Sequence, residues 1–265
     1  MPAPGAGRPQ SLASGTVRVL ALDFDGVICD SARECFAVAL RAHVALRPAS
    51  PLRGREDDPA LFARFVELMP LGNRAEDFGV ALEVLVDGVP VSSQADYDAF
   101  YRTRAPAALH AFHERFYAMR SAWAQADPAG WLARMAPYPG VCAFLRRSAA
   151  RVALGLATAK DRSSVRALLG SYGVADLFPE ERVLDKETGV RKRAHVAELA
   201  RRLAVPVAEI TFLDDKVTHL DDVAALGARC ALAAWGYNGA RERSEAAGRG
   251  YLVCTLEDLE AQLFA

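Results

Sequence analysis

Val17-Arg-Val-Leu-Ala-Leu-Asp-Phe-Asp-Gly-Val-Ile-Cys-Asp30 runs from an apolar segment straight into two carboxylates one residue apart, then a glycine. Val17–Leu22, broken only by Arg18, has the composition of a buried parallel strand. The two-residue period of an extended chain puts Asp23 and Asp25 on one side and Phe24 on the other. Close carboxylates repel each other. They are tolerated when a cation lies between them, or when one carries the proton while its neighbour stays ionised. A plain strand-to-loop turn would use the same acids only as caps for backbone amides.

The four residues Asp23-Phe24-Asp25-Gly26 after an apolar strand resemble the first motif of the haloacid dehalogenase superfamily. The resemblance implies that Asp23 attacks phosphorus to form an aspartyl-phosphate, and that Asp25 protonates the leaving oxygen and then activates water. Three later stretches extend it. Arg151-Val-Ala-Leu-Gly-Leu-Ala-Thr158 is a second apolar strand ending in threonine, and is similar to the second motif. Thr158 and the amide of Ala159, with Gly26, would then hold the phosphoryl oxygens. Asp161 competes with Thr158 for the capping of the next helix, which leaves Thr158 available. The third motif is a lysine ahead of a helix. Lys192 fits that register better than Lys186, and Arg193 fits least. A cation there would neutralise both the nucleophile and the substrate phosphoryl group. Glu209-Ile-Thr-Phe-Leu-Asp214-Asp215 again ends an apolar strand in paired acids and resembles the fourth motif. By the same resemblance, Asp23, Asp25, Asp214 and Asp215 form a Mg²⁺ site, with Asp215 in the usual ligand's place and Asp214 in that of a glycine. The later acid of that motif falls at His219, with Asp221 and Asp222 as substitutes. His219 and His195 themselves read as helix-surface residues or as supports behind the ligands.

The interval from Ser31 to Pro137 is too long for a strand-to-helix connection and must hold a domain. Ser31-Ala-Arg-Glu34 has the spacing of a capping box, and Phe36, Leu40 and Val44 follow at helical spacing, which predicts a helix over 32–46. Further helices are predicted at 59–69, 75–86 and 94–126 with a break at Pro106, and a short one after Asp127-Pro128. No strand pattern of similar strength occurs there. The expected fold is α/β: an open, Rossmann-like, mainly parallel sheet formed by 17–30 and 138–265, with an inserted all-helical cap over 31–137 and a flexible tail over 1–16. The motifs all fall at the carboxyl ends of strands, where open parallel sheets bind ligands.

With 265 residues, 52% of them hydrophobic, the chain can build a large core. Its 32 basic and 33 acidic residues give a net charge of −1, which supplies no footprint for nucleic acid or an anionic membrane. No apolar run approaches the roughly 20 residues that span a bilayer. The five cysteines are widely spaced, without a Cys-x-x-Cys pair, and suit a reducing cytoplasm. The resemblance therefore implies a Mg²⁺-dependent phosphatase acting on a small phosphorylated metabolite. A phosphomutase of the β-phosphoglucomutase kind keeps the same motifs, and a non-catalytic phosphate-binding relative could keep the fold alone. Within the cap, Arg74 follows a Gly-Asn turn and opens a helix, a place where a guanidinium and helix amides could meet an anionic substrate group. The alternative is a surface pair with Glu76 or Asp77.

Overall fold

The structure is a computed structural model and describes residues 17–72 and 74–264; the tail expected over 1–16 lies outside the described residues. The chain divides into two compact units, one made of 17–28 with 139–264 and the other of Cys29–Tyr138. The strands in chain order are β1 (Val19–Leu22), β2 (Cys29–Asp30), β3 (Ala136–Pro137), β4 (Ala153–Ala157), β5 (Val183–Leu184), β6 (Ile210–Asp214), β7 (Arg229–Ala233) and β8 (Leu252–Cys254).

Six of them form a parallel sheet in the order β5-β4-β1-β6-β7-β8. β1 is central and buried along its whole length, as a strand covered on both faces must be. Leu22 is in register with Leu156 of β4 on one side and with Leu213 of β6 on the other. The residues that follow these three positions therefore leave the sheet at one edge, side by side. β4 and β6 flank β1 although both come later in the chain, so this edge lies where the winding of the sheet reverses.

The helix Lys192–Leu203 packs on β4 at a distance set by Gly155. A Cβ there would fall 2.5 Å from Leu199 Cδ2, so any larger residue would have to displace that buried side chain. Val196 and Leu199 are buried in the same cluster as Val19, Ala21, Ala157, Ile210 and Phe212. The helix begins at Lys192 itself, so the lysine lies within the helix and not ahead of it. Lys192 is thus a first-turn residue, fixed by the packing of its own helix rather than carried on a loop.

The second unit contains helices Ala32–Leu46, Pro59–Leu68, Ala75–Asp87, Gln94–Arg102, Pro106–Ala126 and Pro128–Leu132. A chain of rings (Phe36, Phe65, Phe78, Phe116, Phe112) packs at centroid distances of 5.2–6.3 Å. β2 and β3 pair antiparallel and join the two ends of this unit, a two-residue ribbon too short to leave a periodic signal in the sequence. The expected capping box at Ser31 does not form. Glu34 instead accepts two 2.7 Å bonds from Arg120 and a 3.1 Å bond from Trp131 Nε1, all three residues being buried. A fully buried carboxylate gains more from a bidentate guanidinium than from a backbone amide. Among the described residues, no helix is long and apolar enough to cross a membrane.

Candidate active site

Asp23 follows β1, and its backbone N–H continues the ladder by donating to Leu213 O at 3.0 Å. Its Oδ1 accepts from Phe24 N at 2.6 Å and lies 2.6 Å from Lys192 Nζ. The same ammonium donates to Ala157 O at 2.7 Å and lies 3.6 Å from Asp214 Oδ2. Lys192 is therefore held among the ends of β1, β4 and β6. Burial opposes its charge, but Asp23 and Asp214 outweigh burial and raise its pKa; burial, with the charge of Asp214, raises the pKa of Asp23 too, against the pull of Lys192. Lys186 is half-buried and donates its backbone N–H to Lys160 O, and Arg193 is exposed.

Asp214 ends β6 and is fully buried. Its carboxylate accepts from Lys216 N at 2.9 Å and lies 3.0 and 3.1 Å from His219 Nδ1. Burial disfavours the ionised form, yet His219 and Lys192 together hold this carboxyl well below the usual range. Asp215 points the other way, accepting from Tyr237 N at 2.8 Å, with its backbone O taking a bond from Asn238 Nδ2 at 3.1 Å. Burial first, then the charge of Asp214, pushes Asp215 well above the usual range. Gly26 makes room for it. At φ 83° its backbone is left-handed, and a Cβ there would fall 2.3 Å from Asp215 Oδ2.

Asp23, Asp214 and His219 each place a possible metal-ligating atom within 4.8 Å of the others. With Asp215, three buried carboxyl groups gather near Lys192, and a second buried ammonium, Lys160, lies beside Asp25. Several carboxyl oxygens converging in a dry pocket suit a divalent cation, Mg²⁺ above all. His219 is the residue that stands against Asp214. The substitutes expected for the missing acid are committed elsewhere: Asp222 pairs with Arg191 at 3.0 Å, and Asp221 accepts from Tyr251 Oη at 2.7 Å and also pairs with Arg249.

Thr158 is buried after β4, donates its N–H to Leu184 O at 2.8 Å, and accepts from Lys160 N on Oγ1 at 3.1 Å. Ala159 beside it is half-buried. Asp161 caps the helix Arg162–Ser171, accepting from Ser164 N at 2.9 Å. Asp25 carries the contact that the sequence reading missed, because Lys160 Nζ lies 3.0 and 3.4 Å from its two carboxylate oxygens. The signal was available in the alignment of the strands. Leu22 is in register with Leu156, so the turns after β1 and β4 emerge side by side, with Asp25 three residues past Leu22 and Lys160 four past Leu156.

Arg74 belongs to the helical unit. Its backbone N–H donates to Asp77 Oδ2 at 2.9 Å, and its exposed guanidinium pairs with Glu76 at 3.4 Å, the surface alternative of the sequence reading. His195 is buried, not on a helix surface, with Nε2 2.9 Å from Gly189 O and Nδ1 lacking a partner among the described residues. Burial, reinforced by the charge of Lys192, pushes its pKa down from 6.5 to about 4. The unfolded chain thus binds this proton near pH 6.5 and the native chain only near 4. Stability should be lost as the pH falls through that window, by up to about 3 kcal/mol. Urea midpoints measured from pH 7 to 4 test this, and His195→Gln should flatten the fall. An unchanged slope in that variant assigns the acid sensitivity to other groups.

The fold, the strand-end carboxylates and the buried lysine define a haloacid dehalogenase-like hydrolase, and the chain belongs to that family, whose model matches residues 17–227. No curated protein sequence matches it. Among solved structures, a protein of Haemophilus somnus described as a predicted phosphoglycolate phosphatase superposes with a TM-score of 0.64 at 15% identity, over 94% of this chain and 99% of its own. A predicted phosphatase of Clostridium acetobutylicum gives 0.66 at 13%, over 94% and 99%. A hydrolase of Pseudomonas syringae gives 0.59 at 13%, over 93% and 97%. At such identities these likenesses establish the fold.

Proposed function

We propose that the chain hydrolyses a small phosphate monoester in two steps through Asp23. The observation that carries the reading is the Asp23–Lys192–Asp214 arrangement at the carboxyl edge of the sheet, with Asp25 two residues beyond. Asp23 Oδ1 is held by Phe24 N and Lys192, so Oδ2 is the oxygen assigned to attack. In the first step the Asp23 oxygen bonds to phosphorus, the ester P–O bond breaks, and Asp25 delivers its proton to the departing oxygen. In the second, Asp25 takes a proton from water, the water oxygen bonds to phosphorus, and the bond to Asp23 breaks, releasing phosphate. Lys192, Thr158 and the amides of Gly26 and Ala159 orient the phosphoryl oxygens and balance their charge. Asp23, Asp214 and Asp215, with the backbone carbonyl of Asp25, would hold Mg²⁺, which when bound supplies Lewis-acid stabilisation of the phosphoryl group. His219 supports this set through Asp214. The phosphatase neighbours in the structural comparison are consistent with this substrate class.

Release of phosphate from a generic aryl phosphate is the test. It should occur with Mg²⁺, stop in excess chelator and return when Mg²⁺ is restored, because a substrate dianion beside the buried carboxyl groups of Asp23 and Asp214 needs more positive charge than Lys192 supplies. Full activity in excess chelator removes the metal from the mechanism. No phosphate release under any condition leaves a binding protein, and isomerisation of a sugar phosphate without release marks a mutase.

A further inference from the structure

Lys160 is a buried ammonium at the same strand edge as Lys192, aimed at a different aspartate. Its side chain is only 1% exposed, yet its partner Asp25 keeps 31% of its own side chain accessible. A buried ammonium aimed at a half-open carboxylate loses hydration that a surface pair would keep, so the arrangement is poorly explained as a stabilising surface bridge. The turn that carries Lys160 is also locked from several directions. Lys160 N donates to Thr158 Oγ1, and Lys160 O accepts from Lys186 N at 3.1 Å. The next residue, Asp161, is fixed as a helix cap, and Arg162 after it grips buried Asp185 through Nε and Nη2 at 2.5 and 3.2 Å. The ammonium therefore projects from a rigid base toward the partly exposed Asp25 carboxylate.

We infer that Lys160 is a positioning residue for the acid–base steps: its ammonium fixes the Asp25 carboxylate in the one orientation from which it reaches the departing oxygen and then the attacking water. This rests on the phosphatase reading above. It assigns to Lys160 a role exerted through Asp25, separate from that of Lys192, whose ammonium serves Asp23. Misplacing a reacting group by about an ångström can lower a rate by roughly a hundredfold, which sets the scale of the expected effect.

A double-mutant cycle on turnover of phenyl phosphate, whose leaving oxygen requires protonation, tests the inference. Lys160→Met alone should lower kcat by about 10- to 100-fold, with KM and the inhibition constant of inorganic phosphate each changed by less than about twofold. In an Asp25→Asn background the same substitution should change kcat by less than about threefold, since the group it positions is already disabled. Equal losses in both backgrounds overturn the inference, as does a large rise in the inhibition constant of phosphate, which makes Lys160 a direct phosphoryl contact. Thermal unfolding accompanies each variant. If Lys160→Met does not fold, Lys160→Gln replaces it in the cycle and is judged by the same coupling. Wild type without turnover overturns the phosphatase reading and this inference together. Wild type active, Asp23→Asn inactive and an additive cycle overturn this inference alone.

Discussion

Asp23→Asn should reduce phosphate release to the background rate, a loss of about 10⁴-fold or more, because no other group can form the covalent intermediate. The amide preserves the shape of the side chain and can still meet Lys192, which keeps Ala157 O at 2.7 Å and Asp214 at 3.6 Å, so the variant should fold. Asp25→Asn should behave differently. It slows protonation of the leaving group and hydrolysis of the intermediate by about 10²- to 10⁴-fold without removing the nucleophile. With a leaving group that needs little protonation, the first step then outruns the second. Acid-quenched protein should carry stoichiometric label from a radioactive phosphate ester in the Asp25 variant and none in the Asp23 variant. Equal residual turnover in the two variants, close to wild type, would show that the carboxylate pair is structural.

What the sequence made legible is what local periodicity and strand ends encode. β1 could be read from Val19–Leu22 because a strand buried on both faces is continuously apolar, and the acids that interrupt it mark its edge. The helices after Asp58, Ser93, Asp127 and Asp161 were readable because each of these side chains accepts from a backbone N–H in the first turn. Contacts that depend on register between distant strands were not. Lys160 lies 135 residues from Asp25, and only the alignment of Leu22 with Leu156 brings them together. Glu34 misled for a related reason: its capping-box spacing is local, but Arg120, 86 residues away, outcompetes the local amide. Lys192 could be preferred to Lys186 on the register of its helix, but the closeness of that helix to β4 at Gly155 is a fact about packing that spacing does not carry.

Lys192→Met should be the most damaging single change to the folded state as well as to turnover. Lys192 is the buried cation nearest to Asp23 and Asp214, and Asp215 is buried beside them. Methionine fills similar space but leaves these acids without that charge. Breaking a buried ion pair from one side destabilises by about 3–5 kcal/mol at neutral pH. The loss should depend on pH in a definite direction. Burial already raises the pKa of Asp23, and without the ammonium it rises further while that of Asp214 climbs from its low value, so the native variant binds more protons relative to the unfolded chain than wild type does. Its stability relative to wild type then falls as the pH rises, and the deficit should narrow between pH 7 and 5. Mg²⁺ should narrow it too, in proportion to its occupancy of the same carboxylates, because a ligand that binds only the native state stabilises it. Urea unfolding of both proteins at pH 5 and 7, with and without Mg²⁺, separates these effects from mere loss of packing. A deficit of the same size under all four conditions would mean that the Lys192 stem matters and its charge does not. The electrostatic account of the site would then fail at its centre, whatever the variant's activity.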